Sequence, residues 1–153
     1  MSKTMGKIAI VMGSSSDEEV MKPAANTLKK FGIEYDIHIL SAHRMPKKTA
    51  KFAAEAIGKG YEIVIAGAGK AAHLPGVIAS HTTLPVIGVP VKTSDLGGLD
   101  SLLSIVQMPS GVPVATVAIN GSKNAAILAV QILALKYPDL KDKLDHYKSD
   151  LES

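Results

Sequence analysis

The chain has 153 residues and a net charge of +3, is 46% hydrophobic but only 4% aromatic, and contains no cysteine. This length fits one domain over 1–153 that can bury a core of its own, and the lack of cysteine excludes a disulfide framework and a cysteine-rich zinc site. No apolar run reaches the roughly 20 residues needed to cross a bilayer, residues 1–7 carry no apolar signal core, and the lysines are scattered with few aromatics between them. The expectation is a soluble cytoplasmic protein with no membrane or nucleic-acid partner and no bound metal.

Lys7 to Gly13 is short, apolar and rich in β-branched residues, as for a strand buried on both faces. Ser14-Ser15-Ser16-Asp17-Glu18-Glu19 follows at once, and Ser16 with Glu19 matches a capping box, predicting a helix from there to about Lys30 that Gly32 ends. Serine hydroxyls and free N–H groups at such a helix start favour an anion. Capping explains Ser16 and Glu19 but leaves Ser14 and Asp17 free, and Asp17 could accept from a ribose hydroxyl. Pro23 lies too deep in this helix for the tolerated first turn, so a kink and a lost backbone bond are expected.

Ile33 to Leu40 reads as a second strand, and Ser41-Ala42-His43-Arg44 stands where it gives out. A guanidinium suits a phosphate through two parallel hydrogen bonds, and imidazole suits proton transfer because histidine ordinarily titrates near neutrality. Lys47 to Ile57 has helical spacing and is stopped by Gly58 and Gly60, and Tyr61 to Gly67 is a third buried strand. It empties into Ala68-Gly69-Lys70-Ala71-Ala72-His73-Leu74-Pro75-Gly76, whose small residues let backbone approach a flat ligand. His73 is either a helix-start residue satisfied by backbone or a second group in the pocket of His43.

A short helix over Val77 to His81 and a fourth strand over Leu84 to Val91 come next, with Pro85 and Pro90 expected to flank its paired region. After Gly97-Gly98, Leu99 to Val106 is amphipathic; Val112 to Ile119 is a fifth strand, and Lys123 to Lys136 a helix apolar enough to be largely buried. Asp139 to Leu151 is a polar last helix, expected on the surface or against another subunit while the core spans about 7–137. This alternation predicts an α/β three-layer sandwich with a parallel sheet of five or more strands in flavodoxin-like order. The loops after the first three strands then meet at one sheet edge, where three polar or glycine-rich loops are hard to explain as surface decoration.

Met12 to Asp17, Ser41 to Arg44, Ala66 to Gly69 with Ala71 to Gly76, Gly88 to Val91 and Ser104 to Pro109 together resemble the N5-carboxyaminoimidazole ribonucleotide mutases, the mutase type of the phosphoribosylaminoimidazole carboxylase catalytic-subunit family. The resemblance spans about Lys7 to Tyr137. It implies a cofactor-free isomerase of de novo purine biosynthesis that moves a carboxylate from an exocyclic nitrogen to ring carbon four. It further implies that Ser14, Ser41 and Arg44 hold the 5′-phosphate, Asp17 the ribose, and His43 carries the proton. Gly69, His73 and Leu74, with Ala68 and Ala71, would wall the imidazole in a dry, closed pocket. A homo-oligomer, specifically an octamer with sites at subunit contacts, is implied as well.

Three features depart from the family pattern. Lys70 stands where a second glycine is usual, so either the loop tolerates a side chain, the preferred reading, or its ammonium points toward the substrate carboxylate. The 120–123 stretch is short, and the chain stops at Ser153, which puts contacts made by a longer tail in question. The rivals are a direct carboxylase using free carbon dioxide, whose members usually carry lysine at the position of Arg44 and lack the Ala71–Gly76 run, and a non-catalytic sugar-phosphate sensor on the same fold. A phosphoryl-accepting receiver would need an aspartate after the third strand, where Gly67 to Gly69 has none.

Overall fold

A computed structural model describes residues 5–153; the expectation that 1–7 lacks a signal core falls partly on 1–4, outside the described residues. Five strands, β1 (Lys7–Met12), β2 (Glu34–Ile39), β3 (Ile63–Gly69), β4 (Val86–Val91) and β5 (Ala115–Thr116), form one sheet in the order β2-β1-β3-β4-β5. Every pairing is parallel, with Ile10 opposite both Ile37 and Ile65, and Ile65 opposite Ile87. This is the flavodoxin-like order the alternation predicts.

Side chains alternate across the sheet, so each strand feeds two cores. Ile8, Ile10, Met12, Ile63, Ile65, Ile87 and Val89 face α1 (Glu18–Lys30), α5 (Ser122–Ala134) and α6 (Pro138–Leu151), burying Leu28, Ala129, Leu133 and their neighbours. Ala9, Val11, Val64 and Ala66 face the other way, against Phe52 and Ala53 of α2 (Pro46–Glu55), Leu74 and Ile78 of α3 (Leu74–Ser80) and Ile105 of α4 (Leu99–Val106). With aromatics so few, the two cores are filled chiefly by aliphatic residues.

Several expectations change in detail. Helix α1 continues past Pro23, which as expected has no N–H to give the helix, and the Pro23 carbonyl accepts from Thr27 Oγ1 at 2.8 Å. The Ser16–Glu19 capping box does not form, because a 3₁₀ turn over Ser15–Asp17 precedes α1 and it is Ser14 that caps this turn. Pro90 lies inside the ladder, opposite Ala68, rather than flanking it. Its carbonyl accepts from Asn120 N at 2.7 Å, on the β5 side, so its missing N–H faces a strand too short to use one. Strand β5 itself shrinks to two residues, Pro113 lacking a donor and only scattered bonds such as Val117 N to Gly88 O continuing along β4. The last helix is not merely peripheral: Leu140 and Leu144 of α6 are buried in the first core, and Tyr147 packs edge-on against Phe31.

Candidate active site

Parallel strands all end at the same sheet edge, so the loops after β1, β2 and β3 converge, and a cleft of about 530 Å³ opens between them. Its walls carry Ser14, Asp17, Ser41, His43, Arg44, Gly69, His73 and Leu74, all eight site residues expected from sequence. Gly13 lines it too. Its backbone is not left-handed, and a Cβ there would meet only ordinary contacts, at 3.9 Å from Ala68 Cβ and 4.0 Å from Asp17 Oδ2.

In the first loop the Ser14 hydroxyl oxygen accepts from Ser16 N at 3.3 Å and from Ser16 Oγ at 3.0 Å, which leaves its own proton free to donate. Asp17 is 8% exposed, and its carboxyl is held above the usual carboxylate range because burial strips water from the charged form. A bond with the Ser14 backbone pulls the other way and is the lesser effect. A buried carboxylate in a cleft wall calls for a donor.

The second loop is folded by its own serine. Ser41 Oγ accepts from both Arg44 N and Arg44 Nε, each at 3.2 Å, and Ser41 O accepts from Met45 N at 2.7 Å, drawing the chain into a tight turn before α2. Arg44 is thereby aimed by its Nε while its two terminal nitrogens stay open, and among the described residues no carboxylate pairs with it. That is the fork an anion takes up bidentately.

The third loop begins at Gly69, where a Cβ would stand 2.9 Å from Thr93 Cγ2, so only glycine lets the loop after β4 come this close. His73 caps α3 by its position but makes no side-chain cap bond; its ring turns to the cleft. There His73 Nδ1 lies 2.8 Å from His43 Nε2, the rings nearly perpendicular at 86°. One nitrogen must carry the proton and the other accept it, so the two imidazoles share one hydrogen and act as a unit. This resolves the two readings of His73 in favour of a second pocket group. Both rings are exposed, so the dry, closed pocket expected from sequence is not formed by one chain alone.

Lys70 keeps a left-handed backbone, φ 53°, and sends its ammonium to Asp95 Oδ2 at 2.7 Å. Neither open reading of Lys70 foresaw that partner. Thr93 also lines the cleft and was not expected; its Oγ1 is buried without a hydrogen-bond partner. The sequence signal for it was faint, a lone threonine two residues past a strand end.

A flavodoxin-like sheet with a strand-end cleft that offers hydroxyl donors, an open guanidinium, a buried carboxylate and a hydrogen-bonded imidazole pair is that of an α/β protein built to take an anionic small molecule. The chain belongs to the AIR carboxylase family, whose sequence model matches residues 7–153. It is 60% identical over 145 residues to the N5-carboxyaminoimidazole ribonucleotide mutase of Pyrococcus horikoshii, covering 95% of this chain and 82% of that one. It is likewise 60% identical over 148 residues to the mutase of that name from Thermotoga maritima, covering 97% and 86%. Among solved structures, Treponema denticola PurE superposes with a TM-score of 0.87 at 31% identity, covering 95% of this chain and 91% of that one.

Proposed function

We propose that this protein is an isomerase of purine biosynthesis that converts N5-carboxyaminoimidazole ribonucleotide to 4-carboxy-5-aminoimidazole ribonucleotide, with His43 as acid and then base. The observation that carries the reading is the His43–His73 pair, 2.8 Å apart in the cleft shared by three strand-end loops. The 60% identity to proteins bearing the mutase name supports it.

The roles follow from the donors each group has left. Ser14 and Ser41 have accepted hydrogen bonds and retain hydroxyl protons for a phosphate, and Arg44 adds its open fork. Asp17 takes the ribose hydroxyls, whose donation offsets the cost of burying its charge. Gly69 and Leu74 give the aminoimidazole a flat wall. His43 delivers its proton to the exocyclic nitrogen as the N–C bond of the carbamate breaks and carbon dioxide is released. Ring carbon four attacks that carbon dioxide, and the hydrogen it then carries passes back to His43 as the ring regains aromaticity. The proton is returned, no electrons are exchanged with an outside partner, and no cofactor enters the balance. His73 accepts or donates across the shared hydrogen and keeps the His43 ring turned to the substrate.

A homo-oligomer, an octamer in the cytoplasm, completes the reading. Leu99, Leu103 and Val106 form an exposed stripe on α4, with Leu96 just ahead of it, and the exposed histidine pair needs a cover that one chain lacks. The deciding experiment is turnover in labelled bicarbonate: an isomerase passes the substrate's own carboxylate into product with little label. Heavy incorporation would assign the protein to the direct carboxylases instead.

A further inference from the structure

The loops after β3 and β4 meet at two successive points. Gly69 accepts the close approach of Thr93, and Lys70, the next residue, pairs with Asp95 at 2.7 Å. Asp100, at the start of α4, adds a second negative charge near the same ammonium, and together these carboxylates favour its charged form. Lys70 does this from a left-handed backbone, φ 53°, a conformation disfavoured for any residue with a Cβ. From Lys70 to His73 the chain has almost no slack: Ala72 N donates to Lys70 O and His73 N to Ala71 O, both at 2.8 Å, giving two back-to-back three-residue turns. The direction set at Lys70 is therefore passed three residues on to the ring that touches His43. A strained residue beside a functional cleft persists when its surroundings over-determine it.

We propose that Lys70 and Asp95 are positioning residues, a strap between the two loops that holds the Lys70–His73 segment so that the His73 ring meets His43. The role concerns catalysis only if the isomerase reading is right; its structural half stands without it. Lys70 lines the cleft while Asp95 stands outside it, so the strap draws the ammonium to the rim, away from the seat of the ligand. Neither group touches the reacting atoms, so both act through His73.

The test uses the full-length chain with Lys70→Met, Asp95→Asn, the double variant and Lys70→Gly, each checked for a native thermal melt. Two readouts are taken: steady-state kcat and KM with N5-carboxyaminoimidazole ribonucleotide, and the imidazole nitrogen resonances of His43 and His73 in the ligand-free protein. Lys70→Met and Asp95→Asn are each expected to lower kcat by about threefold to fivefold, the size of an exposed pair, with KM moving less. The double variant should fall no further than either single one, and the His73 resonances should move in all three. Lys70→Gly, which loses the strap and relaxes the backbone, should fall at least as far. Unmoved histidine resonances overturn the proposal whatever the rates do, and so do additive losses. If the unaltered protein shows no isomerase turnover, the reading of the preceding subsection fails on its own, and the resonances still decide whether the strap sets His73.

Discussion

At the scale of single residues the most informative group is Asp17, because burial costs it something the fold does not repay. A carboxyl whose folded pKa is raised favours the folded state while protonated. That stabilisation is full below the ordinary value of 3.8 and is lost as pH rises through the raised one. Asp17→Asn should therefore melt higher than the unaltered chain at neutral pH, the difference vanishing in acid, as calorimetry across pH would measure. In the proposed role the same substitution should weaken nucleotide binding, since the charge is lost and one of the two oxygens that would accept from the ribose becomes an amide donor. At His43 the expectation is a split of another kind. His43→Asn should cut kcat by about 10²–10⁴, the usual worth of a placed acid–base group, and leave ligand affinity within a few fold by calorimetric titration. The sequence brought His43 and Arg44 to notice through their chemistry. It could not say that His73 faces His43, because 30 positions separate them and only the sheet brings them together.

At the scale of elements, β3 and α1 meet so closely that a Cβ on Gly67 would run into the Met21 side chain. Gly67→Ala should destabilise the fold by about 1–3 kcal/mol through overpacking, read as a lower urea midpoint with an unchanged slope. The buried strands and their helices were legible because apolar periodicity survives in a single sequence: β1, α4 and the end of α1 fall within a residue of their expected places. Two of the misjudged features share a cause. Pro90 is expected to flank the paired region of its strand, yet a parallel strand presents successive residues to alternate neighbours, and its silent side faces the truncated β5. The capping box failed because an unforeseen 3₁₀ turn moved the capping role two residues upstream, to Ser14. Both errors concern which neighbour a backbone group meets, and local composition does not carry that information.

At the scale of the whole molecule, the exposed α4 stripe and the open histidine pair point the same way. Leu103 is 48% exposed and Leu99 55%, unusual for leucines four apart on one helix unless something covers them. A Leu103→Glu variant should lower the assembled mass measured by light scattering and reduce turnover with it. A protein whose mass is that of one chain at working concentration, with full activity, would remove the assembly from the proposal.

Composition and periodicity alone settled the parallel three-layer architecture, the order of elements and the three loops that gather the chemistry, because burial of aliphatic strands writes a repeating pattern into neighbouring residues. Only the folded chain decided that two imidazoles share one hydrogen, that Lys70 answers to Asp95, and that Thr93 presses on Gly69. Those contacts join residues on separate strands, and their distances come from how the sheet twists and packs rather than from anything written beside them in the chain.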